Sequence, residues 1–162
     1  MSNRVKFLIV LVIIVVFLIG IYFYKNRKES NNYNLKIYFF NAGKADCILI
    51  SNNDNYIMID TGEESLSNEI LTYFKNNNIT KLDYLIITHF DKDHVGSASQ
   101  IIDNMEIDNI LQSNCPKDSE YYTNYINSLA NKNIIAQTIS GDISFVLGDL
   151  NIAVNRTNWY IW

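Results

Sequence analysis

A chain of 162 residues, 48% hydrophobic, is long enough for one small folded domain, and its net charge of -4 gives no electrostatic reason for tight nucleic-acid binding. Two cysteines without motif spacing argue for neither a disulfide framework nor a Cys-rich structural zinc site. No internal repeat or low-complexity segment is present.

Residues 1–6 are short and basic through Arg4 and Lys6, and residues 7–24 are an unbroken apolar run with Gly20 as its weak point. A helix over this run, rising about 1.5 Å per residue, nearly spans a hydrocarbon core of about 30 Å, with Tyr22 and Tyr24 at the far interface. The run exceeds the usual core of a signal peptide, the alternative reading, and no small-residue cleavage site follows it. It lacks the polar face of a surface helix, so the expectation is a transmembrane signal anchor over residues 7–24. Basic residues flank both ends, so the positive-inside rule does not fix the orientation. Residues 25–34 are polar and Asn-rich, which fits a linker.

A folded domain is expected over residues 35–154. Strands are predicted at residues 35–40 and 46–51, then, after a turn at 52–55, at 56–59, which ends in Asp60-Thr61-Gly62. Ser65 or Ser67 is expected to cap a helix reaching about Asn76, with Ile70, Leu71, Tyr73 and Phe74 on one face. The apolar run 82–87 predicts a buried strand. Further on, residues 107–111 predict a strand, 118–131 a helix, 134–139 a strand and 143–154 a hairpin through Gly148-Asp149. Tyr121, Tyr122 and Tyr125 read as a helix face packed on the sheet, Cys47 falls in a strand and Cys115 in a loop beside Pro116.

Directly after the 82–87 run stands Thr88-His89-Phe90-Asp91-Lys92-Asp93-His94-Val95-Gly96, which holds both histidines of the chain. Such donors at the carboxyl end of a strand lie where an α/β sheet opens into its crevice. If residues 88–93 stay extended, His89, Asp91 and Asp93 converge on one side while Phe90 and Lys92 point away. His94 would then enter from the first turn of a helix over residues 95–105, with Gly96 letting backbone approach closely. Mixed imidazole and carboxylate donors suit Zn, Mn or Fe, and two neighbouring ions are compatible, one on His89 and Asp91, the other on Asp93 and His94. The plainer alternative makes Asp93 a helix cap and Asp46 and Asp60 turn residues.

The segment Leu85-Ile86-Ile87-Thr88-His89-Phe90-Asp91-Lys92-Asp93-His94-Val95-Gly96 resembles the metal-binding motif of the metallo-β-lactamase superfamily, in the form with Asp at the second ligand position that marks ComEC/Rec2-like hydrolases. Residues 37–50, with Asn41-Ala42-Gly43-Lys44-Ala45-Asp46, resemble the first strand pair of that group, and Tyr56-Ile57-Met58-Ile59-Asp60-Thr61-Gly62 its next strand and turn. Lys44 and Ala45 stand within a loop where the family carries Gly-Gln-Gly-Asp, and Ser97 stands where a second Gly usually follows Gly96, which would lower metal affinity modestly.

The resemblance implies an α+β fold, an αββα sandwich represented by its first half and part of its second, preceded by the membrane helix. It also implies one or two zinc ions, with Mn or Fe as alternatives, held by His89, Asp91, Asp93 and His94. Asp93 would orient or deprotonate water that the metal activates for attack on a phosphoester or acyl centre, and Asp46, Asp60 and Gly96 would support the ligands from behind. The expected setting is a single-pass protein of the cell membrane with its domain outside the cytoplasm, acting on a nucleic acid or another phosphoester. The family's second half supplies another His, a bridging Asp and a last His, whereas no histidine follows His94 here. The domain is therefore expected to be incomplete, residues 155–162 to be a non-matching aromatic tail, and activity to be impaired. An inactive remnant and a membrane-tethered interaction module, self-associating through exposed sheet, remain the alternatives.

Overall fold

The computed structural model describes residues 2–25 and 34–155. The linker expected at 25–34 and the tail at 155–162 lie almost wholly outside the described residues. The chain divides into two compact units, residues 1–32 and 33–162.

The described residues of the first unit form one helix, α1 (Asn3–Lys25). It is long and apolar enough to cross a membrane over Arg4–Tyr22, with a mean hydropathy of 3.0. Its described side chains are exposed all round, Phe7 by 68% and Phe17 by 69%, so no protein core in this unit accounts for its apolar surface.

In the second unit β1 (Leu35–Phe39), β2 (Ile48–Asn52) and β3 (Asn55–Ile59) form an antiparallel meander, with Ile50 opposite both Ile37 and Ile57. Asn53, in the two-residue link between β2 and β3, has φ +55°, a left-handed conformation that Asn tolerates better than most residues. The order then turns parallel: β4 (Lys81–Ile87) lies beside β3, β5 (Glu106–Gln112) beside β4 and β6 (Gln137–Thr138) beside β5. Parallel neighbours need crossovers, and α2 (Ser67–Asn76), the α3 (Lys92–Val95) and α4 (Ala98–Asn104) pair, and α5 (Glu120–Lys132) provide them. A separate hairpin, β7 (Ile143–Leu147) and β8 (Leu150–Val154), follows, turning at Gly148 with φ +60°.

The layers are set by two apolar faces. On one side of the six-stranded sheet Ile70 and Phe74 of α2, Ala98 and Ile101 of α4 and Tyr125 and Leu129 of α5 pack on Met58, Leu85, Ile87 and Ile110. On the other, Leu147 joins Ile57, Ile86 and Leu111, and Phe145 stacks on Tyr84 with ring centroids 3.9 Å apart. Each fully buried Leu or Ile is worth about 1.5–3 kcal/mol, so both faces contribute. The described residues thus form helix, sheet and hairpin layers; a second helical layer of an αββα sandwich is absent among them.

Several expectations need correction. Residues 88–93 are not extended throughout: Asp91 is the last extended residue, and the backbone N–H groups of His94 and Val95 both donate to its carbonyl, starting α3 at Lys92. The helix expected over 95–105 is accordingly two pieces, broken at Gly96-Ser97. Neither Ser65 nor Ser67 caps α2, because a 3-10 turn over Glu64–Leu66 leads straight into it. Ser119 caps α5 by accepting from Tyr122 N–H, which moves its start to Glu120. Of 134–139 only Gln137–Thr138 is strand, since Ile134 N–H still bonds back to Leu129 and Ile135 points into solvent. Cys47 and Cys115 are free thiols, the first buried and the second exposed.

Candidate metal centre

Strands β3 and β4 are parallel and end within one residue of each other, Ile59 opposite Ile86, so the residues that follow them emerge side by side. Asp60 N–H donates to Ile86 C=O at 2.9 Å and closes this edge. Asp60 itself has φ +52°, which turns its carboxylate back toward β4. One oxygen, Oδ1, accepts from Thr88 N–H at 2.8 Å; the other, Oδ2, accepts from the Thr88 hydroxyl at 2.6 Å and lies 2.9 Å from His94 Nδ1. Asp60 is only 2% exposed; burial pushes its carboxyl pKa up, opposed by the hydrogen bonds from Thr88 and His94.

The backbone of His94 is held from the same loop. Its carbonyl accepts from Thr61 N–H at 2.7 Å and from the Thr61 hydroxyl at 2.8 Å. Gly96 makes this approach feasible: a Cβ there would lie 2.4 Å from Lys92 O, 2.6 Å from Glu64 N and 2.7 Å from Gly62 O. The close approach expected at Gly96 is thus between two backbone segments that carry the site. Ser97 is fully buried and donates its hydroxyl to Glu63 C=O at 2.6 Å, so it adds a tie to the same loop and does not reach toward the donors.

With Nδ1 turned to Asp60, His94 Nε2 faces outward and lies 3.8 Å from Asp93 Oδ2. The rings of His89 and His94 are 3.6 Å apart between centroids. Burial, then the neighbouring His94, lowers the His89 pKa and favours the neutral imidazole that binds metals. One donor atom from each of His89, Asp93 and His94 falls within a 4.8 Å span, and a second such group joins Asp46, Asp60 and His94. The first is the better cation cage, because both Asp60 oxygens in the second are already accepting hydrogen bonds.

Asp46 and Asp91 stand at the margins. Asp46 is exposed, with Oδ2 3.8 Å from His94 Nδ1, while its backbone N–H donates to Asp93 C=O and its C=O accepts from Gly62 N–H. Asp91 has Oδ2 3.5 Å from His89 Nε2 and Oδ1 paired with Lys117, outside both three-donor groups. The structure thus keeps Asp91 beside His89 and Asp93 beside His94, and brings one donor each from His89, Asp93 and His94 into a single group. Sequence reasoning does not single out Thr61, Thr88 or Lys117. Thr88 and Thr61 adjoin motif residues, whereas nothing in the Cys115-Pro116-Lys117 stretch signals its proximity to Asp91.

The donors present fit a divalent ion: two imidazoles and a carboxylate, with the second nitrogen of His94 bonded to a buried carboxylate, the arrangement that orients metal-binding histidines. Residues 41–107 match the metallo-beta-lactamase superfamily. Every residue of this cage, and the Asp60, Thr61 and Thr88 supports, lies within the matched segment. A solved structure of the metallo-beta-lactamase MIM-1 from Novosphingobium pentaromativorans matches at 15% identity with a TM-score of 0.48, over 67% of this chain and 43% of that one. The chain thus spans less than half the length of that structure. No curated protein sequence matches.

Proposed function

We propose that this chain is a metal-dependent hydrolase of the metallo-β-lactamase type, of the ComEC/Rec2-like group, acting on a phosphoester and anchored to the cell membrane by α1 with its domain outside the cytoplasm. The observation that carries the reading is the buried Asp60 carboxylate bonded to His94 Nδ1, which leaves His94 Nε2 facing Asp93 and His89. His89, Asp93 and His94, with Asp91 beside His89, would hold one or two divalent ions, zinc being the ion such donors favour with Mn or Fe as alternatives. A bound ion would supply Lewis acidity and a water of lowered pKa.

The chain's own residues do the rest. Asp60 keeps His94 in the tautomer with its proton on Nδ1 and holds the ring plane. Asp93, about one-third exposed, would accept a proton from a nucleophilic water at the mouth of the site. Lys117, at the Asp91 edge of the site, brings a positive charge to it, which favours an anionic phosphoester over a neutral acyl substrate. The test is metal content of the chain purified without chelator, beside a His89→Ala/His94→Ala double variant, followed by assays on bis-(p-nitrophenyl) phosphate and p-nitrophenyl acetate. Near-stoichiometric metal lost in the variant, with hydrolysis of the phosphodiester alone, is the expected result; metal-free protein in both would sink the reading.

A second reading, a membrane-tethered module that self-associates, is favoured by β1. It is an edge strand whose five residues are all exposed, Ile37 by 52% and Phe39 by 69%, with Lys36 as its sole charge. Concentration-dependent self-association abolished by Ile37→Lys would support this reading.

A further inference from the structure

The loop between β5 and α5, residues 113–119, is fastened at both ends around the metal motif. At its start Ser113 N–H donates to Ile87 C=O at 3.1 Å, two residues before His89. At its end Ser119 caps α5, whose Tyr122 and Tyr125 rings pack on Phe90 with centroids 4.5 and 5.7 Å away. Between these anchors Lys117 extends back over the motif, and its ammonium pairs with Asp91 Oδ1. The other oxygen of Asp91 lies 3.5 Å from His89 Nε2.

The Asp91 carboxylate thus lies between the Lys117 ammonium and the His89 ring, and the ammonium occupies an oxygen that a cation held by His89 and Asp91 would draw on. Two cations at this spacing repel, so a divalent ion drawing on Asp91 displaces the ammonium. The backbone of Lys117 stays beside the motif, because its loop starts from Ser113 bonded to Ile87 and leads into α5, which packs on Phe90. A lysine held beside a metal centre and stripped of its carboxylate is a binding group for an anionic oxygen. Lys92 does not share this role, since its ammonium is turned to Glu63.

We propose that Lys117 competes with the divalent ion for Asp91 in the metal-free protein and, when displaced, binds an anionic oxygen of the substrate. This rests on the metal-hydrolase reading above and adds to it a residue that couples metal loading to substrate binding. The side chain is half exposed, so its replacement removes charge without emptying a core.

The experiment compares the full chain in mild detergent with its Lys117→Met and Lys117→Arg variants, and with Lys132→Met as a control for loss of a distant charge. Zinc affinity is measured by competition with a chromophoric chelator, and binding of inorganic phosphate to the zinc-loaded protein by calorimetry. Lys117→Met is expected to bind zinc about two- to five-fold more tightly, the size of effect that an exposed ion pair carries, and phosphate roughly ten-fold more weakly. Lys117→Arg and Lys132→Met are expected to stay near the parent in both. Unchanged or weaker zinc binding in Lys117→Met, or unchanged phosphate binding, overturns the proposal while leaving the metal centre standing. Failure of the parent and every variant to bind zinc overturns the metal centre and the proposal together.

Discussion

Nδ1 of His94 lies 2.9 Å from Oδ2 of Asp60, a contact made across 34 residues of chain in a part of the site that solvent scarcely reaches. The same carboxylate holds the amide and hydroxyl of Thr88, the residue just before His89. Asp60 therefore sets both the ring of one histidine and the backbone from which the other departs.

Asp60→Asn tests that role without changing the backbone, because Asn accepts a left-handed φ as readily as Asp. It removes the charge that stabilises Nδ1–H on His94. Zinc affinity by chelator competition is expected to fall roughly 10- to 100-fold, the usual loss when a partner behind a ligand is removed, with the far-ultraviolet circular dichroism unchanged.

Gly96→Ala is expected to be far more damaging than an added methyl group suggests. All three atoms that its Cβ would meet, Lys92 O, Glu64 N and Gly62 O, are backbone and none is the end of a flexible side chain. The substitution must push α3 away from the Asp60-Thr61-Gly62 loop. A loss of about 2–4 kcal/mol in urea unfolding, with loss of metal binding, is expected; stability within experimental error of the parent would show that the two segments do not pack this closely.

Leu147→Ala addresses the hairpin layer. Leu147 is buried against Ile57, Ile86 and Leu111, and its carbonyl accepts from the Asn52 amide at 3.3 Å while Asp149 accepts from the same amide at 2.6 Å. Truncation should cost about 2–5 kcal/mol. Hydrogen exchange is the useful readout: amides of β7 and β8 are expected to lose protection first, with α2 and β4 retaining theirs.

The two thiols should differ sharply in reactivity. Burial, then the charges of Asp60 and Glu69, raises the Cys47 pKa well above the ordinary thiol range and keeps it protonated, whereas Cys115 is exposed. Iodoacetamide at pH 8 is expected to label one thiol in the native chain, at Cys115, and both in denaturant. Native labelling of Cys47 at a comparable rate would contradict the packing around β2.

Much of the fold is legible in the chain because local signals agree with the tertiary arrangement. The alternation in β1 to β3, the apolar run of β4 and the Gly148-Asp149 hairpin each carry their own turn chemistry and fall within a few residues of their expected bounds. The site residues are legible as a set because both histidines fall within six positions of each other, flanking two aspartates. Their geometry is not. A period of two predicts His89, Asp91 and Asp93 on one side, but the change to helical period at Lys92 rotates Asp93 and His94 toward His89 and leaves Asp91 between His89 and Lys117. Such a switch depends on the Asp91 carbonyl receiving two amides, which no composition reveals. The start of α5 at Glu120, two residues later than expected, is a smaller case of the same kind, decided by the Ser119 hydroxyl meeting the Tyr122 amide. The Lys117 contact belongs to tertiary structure alone, joining residues from loops on either side of β5.

Thr61 gives both its amide and its hydroxyl to the carbonyl of His94, while its neighbour Asp60 takes the His94 ring. One dipeptide thus grips a single residue at its main chain and its side chain together. The entropic cost of ordering this donor is met when the polypeptide folds, and an arriving ion finds the imidazole already aimed, so binding has little conformational freedom left to extinguish.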